Sequence, residues 1–181
     1  MKNSILFILF LIVFTGCSSG YKILKPEKES NFRLSDYPTF GFYDIEAKGD
    51  TVSATFGKNI AIIKEAISRN LEGKGLNQAQ DPALKINIAI SVQEKIQTRE
   101  TNFQNDGRPQ YMGQRRYSWK SKEVEVGRYK MGTLLIDLVD PATNKMVWKG
   151  GGEGVLPGKE KDFTKGANEL IDQIFSSIGN Q

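Results

Sequence analysis

The sequence predicts an α+β domain, a two-layer sandwich in which two helices cover one face of a mostly antiparallel sheet of four to five strands. Apolar and polar residues alternate over residues 84–98, which indicates a long strand with one buried and one solvated face. Apolar residues recur every three or four positions in residues 51–74 and 162–178, as in helices that bury one stripe. One apolar sheet face therefore receives both helices.

Shorter patterns complete the predicted order of elements. Residues 38–44 are aromatic and bounded by turn formers, which favours a first strand before the first helix. Residues 117–126 alternate loosely and are predicted to form a hairpin with the strand at 84–98. Residues 131–140 and 145–150 flank a stretch of turn formers and predict a second hairpin.

The N-terminus has the features of a bacterial secretion signal. Lys2 precedes a run of ten apolar residues, whereas a transmembrane helix needs about 20. The segment VFTGC resembles the bacterial lipobox, with Phe14 at the position where leucine is usual. The resemblance implies cleavage of a signal peptide of residues 1–16, diacylation of the Cys17 thiol and acylation of the new amine, with palmitate-type chains. An ordinary secretory signal and an uncleaved anchor are the alternatives.

The predicted location is the cell envelope, with the protein held in a membrane by its N-terminal lipid. Ser18 follows the cysteine, whereas Asp there would resemble an inner-membrane retention signal, so we expect the periplasmic leaflet of the outer membrane. Residues 17–35 mix Ser, Gly, Pro and charges without periodicity, which predicts a lipidated cysteine followed by a flexible tether. Residues 36–181 are expected to form a single α+β domain.

Composition argues against an enzyme. The chain has no histidine, the most frequent general base and metal ligand, and its one cysteine is Cys17. Asp137 and Asp140 are three residues apart on a predicted strand, so their side chains leave opposite faces. Gly150 to Gly154 lack the lysine and hydroxyl of a phosphate-binding loop and are interpreted as an irregular strand end with bulges. No catalytic, cofactor or metal site is predicted.

Residues 99–122 carry six basic residues interleaved with aromatic ones. Such a pattern binds single-stranded nucleic acid in other settings, but the net charge of +4 is small and the expected envelope location makes other ligands more reachable, so no nucleic acid is expected. An envelope protein, a glycan or an anionic lipid is the expected partner. The alternative is a solvated hairpin loop. The residues of the candidate interaction surface are Tyr111, Arg115, Arg116, Tyr117 and Trp119.

Three segments together resemble the bacterial lipoproteins grouped as domain of unknown function 4136. They are YPTFGFYD, the helix end LEGKGL followed by DPALKINIAISV, and GTLLIDLVDPATNKMVWKGGGEG. The resemblance covers roughly residues 36–178 and rests on strand and turn signatures. It implies the fold and an envelope location, and it carries no functional residues to transfer.

Two functions follow as expectations. The first is a non-enzymatic envelope lipoprotein that acts as an interaction or binding module anchored by the acylated Cys17. The second is a carrier or sensor of a small apolar or lipidic ligand held between the sheet and the helices. A carrier requires an apolar cavity of roughly 300 Å³ or more, whereas an interaction module has a filled core.

Overall fold

The computed structural model describes residues 20–44, 55–102, 106 and 120–178. Its first part contains the short strands β1 and β2, a 3-10 turn at Leu34–Asp36, and strand β3. The second part contains helix α1, strands β4 to β7 and helix α2. The bounds are β1 Lys22–Ile23, β2 Glu27–Lys28, β3 Thr39–Phe42, α1 Phe56–Glu72, β4 Asn77–Gln78, β5 Leu84–Glu100, β6 Glu123–Asp140, β7 Lys145–Val155 and α2 Glu160–Ser176.

In the described part of the chain the strands form one mixed sheet of seven, in the order β1-β7-β6-β5-β3-β4, with β2 also paired to β7. The pairs from β5 to β7 and those of β1 and β2 with β7 are antiparallel, whereas β3 runs parallel to β4 and β5. The α+β class is confirmed. The predicted number of strands was too low, because β1, β2 and β4 have two residues each and are too short for a hydrophobic period.

The two predicted hairpins share one central strand. β6 runs from Glu123 to Asp140 and pairs with β5 along its length and with β7 over its second half. The prediction divided it because residues 127–130 have no apolar alternation. That stretch of β6 extends beyond the end of β7, where no core exists to impose the alternation.

The predicted tether differs from the structure from Lys22 onwards. Residues 22–28 contribute β1 and β2 to the edge of the sheet beside β7, and Phe32 and Leu34 are buried in the core. Residues 17–19 of the tether lie outside the described residues. Backbone pairing to a sheet edge requires no side-chain pattern, which is why the composition of this segment did not indicate it.

One core fills the space between the helices and one face of the sheet. The helices contribute Ile63, Ile67, Leu71, Ile171, Ile174 and Phe175, and the strands contribute Phe40, Leu84, Ile86, Ile88, Leu134, Ile136, Leu138 and Trp148. The strand residues share a face because they are opposed in register, as Ile86 is to Leu138. Arg69 of α1 donates to Asp172 of α2 at 2.8 Å, which holds the helices side by side.

Gly150 to Gly154 lie in the regularly paired half of β7, which corrects the prediction of an irregular strand end with bulges. The register shift of this pair lies instead between Leu138 and Val139. A Cβ at Gly150 would overlap the ring of Trp148 and lie 2.9 Å from Ile174 Cγ2. The glycines therefore give room to large neighbours rather than unusual backbone angles.

The long strands extend beyond the rest of the sheet. β7 ends at Val155, opposite Met131, so β5 and β6 continue as a two-stranded ribbon, here called the arm (residues 93–100 and 123–130). Eight residues of strand span about 27 Å. β3 pairs with β5 only as far as Ile86, so the outer edge of β5 beyond it has no partner strand among the described residues.

Candidate functional site: an apolar groove at the base of the arm

The residues predicted to carry the function lie outside the described residues. These are Cys17 and the interaction surface of Tyr111, Arg115, Arg116, Tyr117 and Trp119. Both remain predictions. The structure does show where the stretch that contains the surface begins and ends. Thr101 N donates to Lys122 O at 2.8 Å, and Ser121 Oγ donates to Thr101 O at 2.8 Å, so the two strands are still joined at the end of the arm.

One cation of this stretch has an acidic partner. Arg99 donates through both terminal nitrogens to the two carboxylate oxygens of Asp106, at 2.7 and 2.6 Å. The hydrogen bonds from Arg99, together with one from the Asn102 backbone N–H, lower the pKa of Asp106 from 3.8 to about 2. The basic character of the stretch is therefore reduced at its beginning.

We expect Arg99→Ala to raise the pKa of Asp106 from about 2 towards 3.8, measured by an NMR titration of the carboxyl carbon. The folded-state pKa is depressed, so the pair stabilises this segment above about pH 3.8 and is lost as the pH falls towards 2. Arg128→Ala is the control, since Arg128 bonds Glu125 on the same arm. An unchanged Asp106 pKa in Arg99→Ala would contradict the assigned pair.

Where the helices leave the sheet uncovered, an apolar groove of about 480 Å³ opens. Its floor is the inner face of β5, β6 and β7, and its walls are the first halves of α1 and α2. The residues that line it are Tyr21, Phe56, Asn59, Ile60, Ile63, Ile88, Ala89, Ile90, Val92, Gly132, Thr133, Leu134, Gly154, Val155, Leu156, Pro157, Phe163, Gly166, Ala167 and Leu170.

The groove exists because the apolar face of β5 is longer than the helices that cover it. Exposure rises along this face from 8% at Ile88 to 38% at Ile90, 42% at Val92 and 55% at Ile96. Monomeric domains rarely leave a continuous apolar surface in water without a function for it. The uncovered end of the face is therefore a candidate binding site.

The lining of the groove is almost free of polar side chains. Among the described residues that line it, only Tyr21, Asn59 and Thr133 carry polar side-chain atoms. Burial raises the pKa of the Tyr21 phenol above 10.0, and the nearby Glu169 carboxylate raises it further, so the phenol is neutral at physiological pH. Such a lining suits an uncharged apolar ligand and offers neither a nucleophile–base pair nor a cation ligand set.

Tyr21 is fixed at the wall of the groove by two glycines. A Cβ at Gly154 would lie 2.6 Å from Tyr21 Cδ1, and a Cβ at Gly166 would lie 2.5 Å from its hydroxyl oxygen. The ring therefore lies between β7 and α2, in a space that exists because both glycines lack a Cβ. In the sequence, Cys17 precedes Tyr21 by four residues.

A second depression, of about 770 Å³, lies beside α1 and has a polar lining that includes Lys64, Arg69 and Lys85. All three cations have partners. Lys64 Nζ lies 5.2 Å from the ring centroid of Phe42, Lys85 Nζ lies 5.1 Å from that of Tyr43, and Arg69 pairs with Asp172. We take this depression as a solvated surface, because its charges already stabilise the fold.

The aspartates of the second hairpin have structural roles, as the sequence indicates. Asp137 Oδ2 accepts from Asn87 Nδ2 at 3.2 Å on the neighbouring strand, and Lys149 Nζ lies 3.8 Å from its other oxygen. Asp140 Oδ1 accepts from the backbone N–H of Ala142 at 2.8 Å and so caps the turn. The described residues contain no group of three His, Cys, Asp or Glu side chains placed to hold a metal ion.

Neither α1 nor α2, the two α-helices of the described chain, combines the length and the apolar character required to cross a bilayer. Their apolar residues form one stripe each, directed at the sheet.

The solved structures that match this chain include two proteins of low sequence identity. A PDZ domain protein from Parabacteroides distasonis is 15% identical, with a TM-score of 0.49, over 86% of this chain and 36% of that one. The present chain thus spans about a third of that protein. PelC of Paraburkholderia phytofirmans, solved as a dodecamer, is 12% identical, with a TM-score of 0.45, over 87% of this chain and 96% of that one.

No curated protein matches the chain. The family model described as "Domain of unknown function (DUF4136)" matches residues 26–177, which include every described strand from β2 onwards and both helices. The matched region includes every residue that lines the apolar groove except Tyr21. The chain therefore belongs to the DUF4136 family.

Proposed function

We propose that this protein is a non-enzymatic envelope lipoprotein that holds one acyl chain of a lipidic ligand in the apolar groove. Acylation of Cys17 anchors it, in the periplasmic leaflet of the outer membrane. The observation that carries the proposal is the groove itself, which has a volume of about 480 Å³, is mostly apolar, and is built from both helices and three strands.

The size and chemistry of the groove favour an acyl chain over other ligands. Its volume lies within the range of about 300–1,000 Å³ that is usual for small-ligand sites. Each methylene moved from water into such a groove contributes about 0.8 kcal/mol, without any polar partner. A sugar or a nucleotide would need more donors and acceptors than Tyr21, Asn59 and Thr133 supply.

The test uses a photoactivatable, diazirine-bearing palmitate added to whole-cell lysates that contain the full-length chain. A Cys17→Ala background is used, so that the label can come only from the added ligand. Crosslinked peptides are mapped by mass spectrometry. We expect labelling on the segments that form the groove, above all β5 around Ile90 and the first half of α2.

In this background, Val92→Glu should reduce the labelling about tenfold, because it places a carboxylate against the acyl chain. Val92 is 42% exposed, so the change leaves the core intact. Ile96→Glu is the matched control, since it lies on the same face of the same strand beyond the groove. Labelling that is equally strong in both variants, or spread over the surface, would overturn the proposal.

A second candidate function is the binding of an envelope partner protein along the arm. The specific observation is the outer edge of β5, which has no partner strand beyond Ile86 in the described chain and can accept an added strand. Ile96 and Val126 add exposed apolar side chains to the arm. This function would be sensitive to Ile96→Glu and insensitive to Val92→Glu, the reverse of the pattern above.

A further inference from the structure

The first residues of the described chain lie at the wall of the groove and are close in sequence to the predicted lipidation site. Tyr21 lines the groove, and Cys17 precedes it by four residues. A peptide of four residues spans at most about 14 Å. The lipid on Cys17 is therefore attached within a short distance of a cavity that fits an acyl chain.

We propose that one acyl chain carried by Cys17 occupies the groove of the same molecule, so that the lipoprotein shields part of its own anchor. The proposal rests on the proposed function, since it requires both an acylated Cys17 and a groove that takes an acyl chain. The acyl chain of Cys17 is then the resident ligand of the groove. It regulates the binding of external lipid, which enters only when the protein's own acyl chain leaves.

Proximity gives the attached chain a strong advantage over a free ligand. A ligand tethered by a short flexible segment has an effective concentration in the millimolar range, whereas a free fatty acid in an assay is micromolar. Because Tyr21 is clamped between Gly154 and Gly166, the tether begins at a fixed point of the groove wall. The tether that joins the lipid to the groove wall is thus limited to the residues between Cys17 and Tyr21.

The groove also competes energetically with the bilayer for the acyl chain of Cys17. An acyl chain that leaves the bilayer loses its apolar surroundings there and regains them against the apolar walls of the groove. Its entry additionally removes the exposed parts of Ile90 and Val92 from water, a gain that the bilayer does not provide. An acylated Cys17 bears more than one chain, so one can lie in the groove while another stays in the membrane.

The experiment places a photoactivatable palmitate in the lipid of Cys17 by metabolic labelling of cells that carry the full-length protein. Intact-mass spectrometry first establishes that the lipid is present, and an unacylated protein would overturn the inference at this step. After irradiation we expect crosslinks that join the N-terminal peptide to groove peptides of the same chain. They should fall about tenfold in Val92→Glu and persist in Ile96→Glu.

Adding free photoactivatable palmitate to whole-cell lysates, with uptake normalised to the amount of each protein, separates this inference from the proposed function. We expect the unlabelled wild-type protein to take up at least fivefold less of it than Cys17→Ala, because its own chain competes. Equal uptake by both would overturn self-occupancy while leaving ligand binding intact. No uptake by either protein would overturn ligand binding, and intramolecular crosslinks would then be absent as well.

Discussion

Replacing Trp148 with alanine is expected to lower the free energy of unfolding by about 3–5 kcal/mol, the range for truncation of a large buried aromatic residue. The indole is 1% exposed and stacks on Phe175 of α2, with ring centroids 5.7 Å apart. It lies opposite Leu138 in the sheet, and Gly150 leaves the space that the ring fills. No neighbouring side chain can therefore move in to fill the space that the removed indole leaves.

Urea unfolding followed by far-UV circular dichroism measures this loss. Met146→Ala in the same strand is the control, since Met146 is 38% exposed and its truncation should cost less than about 1 kcal/mol. If Trp148→Ala cost no more than Met146→Ala, the indole would not be part of the core. The stacking of β7 on α2 described above would then be wrong.

The sequence predicts the elements that have a one-sided pattern. The helices predicted at 51–74 and 162–178 are observed at Phe56–Glu72 and Glu160–Ser176, and the predicted strand at 84–98 lies within Leu84–Glu100. The fold class follows from these elements because each has a face that needs covering. Gly75, three residues after the last residue of α1, has a φ of 94°, a conformation that glycine adopts without strain.

Pairing was harder to predict than the elements themselves. A period of two shows that β6 is a strand but not which neighbour it pairs with, so its two halves were assigned to separate hairpins. The part beyond the end of β7 has solvent on both faces, and there the pattern gives no information. The short strands β1 and β2 are fixed by backbone hydrogen bonds to β7, which leave no signature in side-chain hydrophobicity.

The groove illustrates a further limit of sequence patterns. Ile88, Ile90 and Val92 continue one apolar alternation, and nothing in it distinguishes the residue that a helix covers from the residues that it leaves open. Coverage depends on where α1 and α2 begin above the sheet, a tertiary distance. A signal was nonetheless present. The apolar alternation of β5 is longer than the length of sheet that the buried residues of a 17-residue helix can cover.

Gly150→Ala is expected to destabilise the protein by about 1–3 kcal/mol, although alanine usually improves a strand that contains glycine. The added Cβ would overlap the Trp148 ring and meet Ile174, and both side chains are buried and held by the core. Gly127→Ala in β6 is the matched control, since its nearest neighbour is Gln97 Oε1 at 3.8 Å, so that change should be neutral or slightly stabilising. Urea midpoints of the two variants decide the matter. Equal midpoints would mean that glycine is needed at this position of β7 for its backbone conformation. A lower midpoint for Gly150→Ala alone would show that glycine is needed there to leave space for packing against α2.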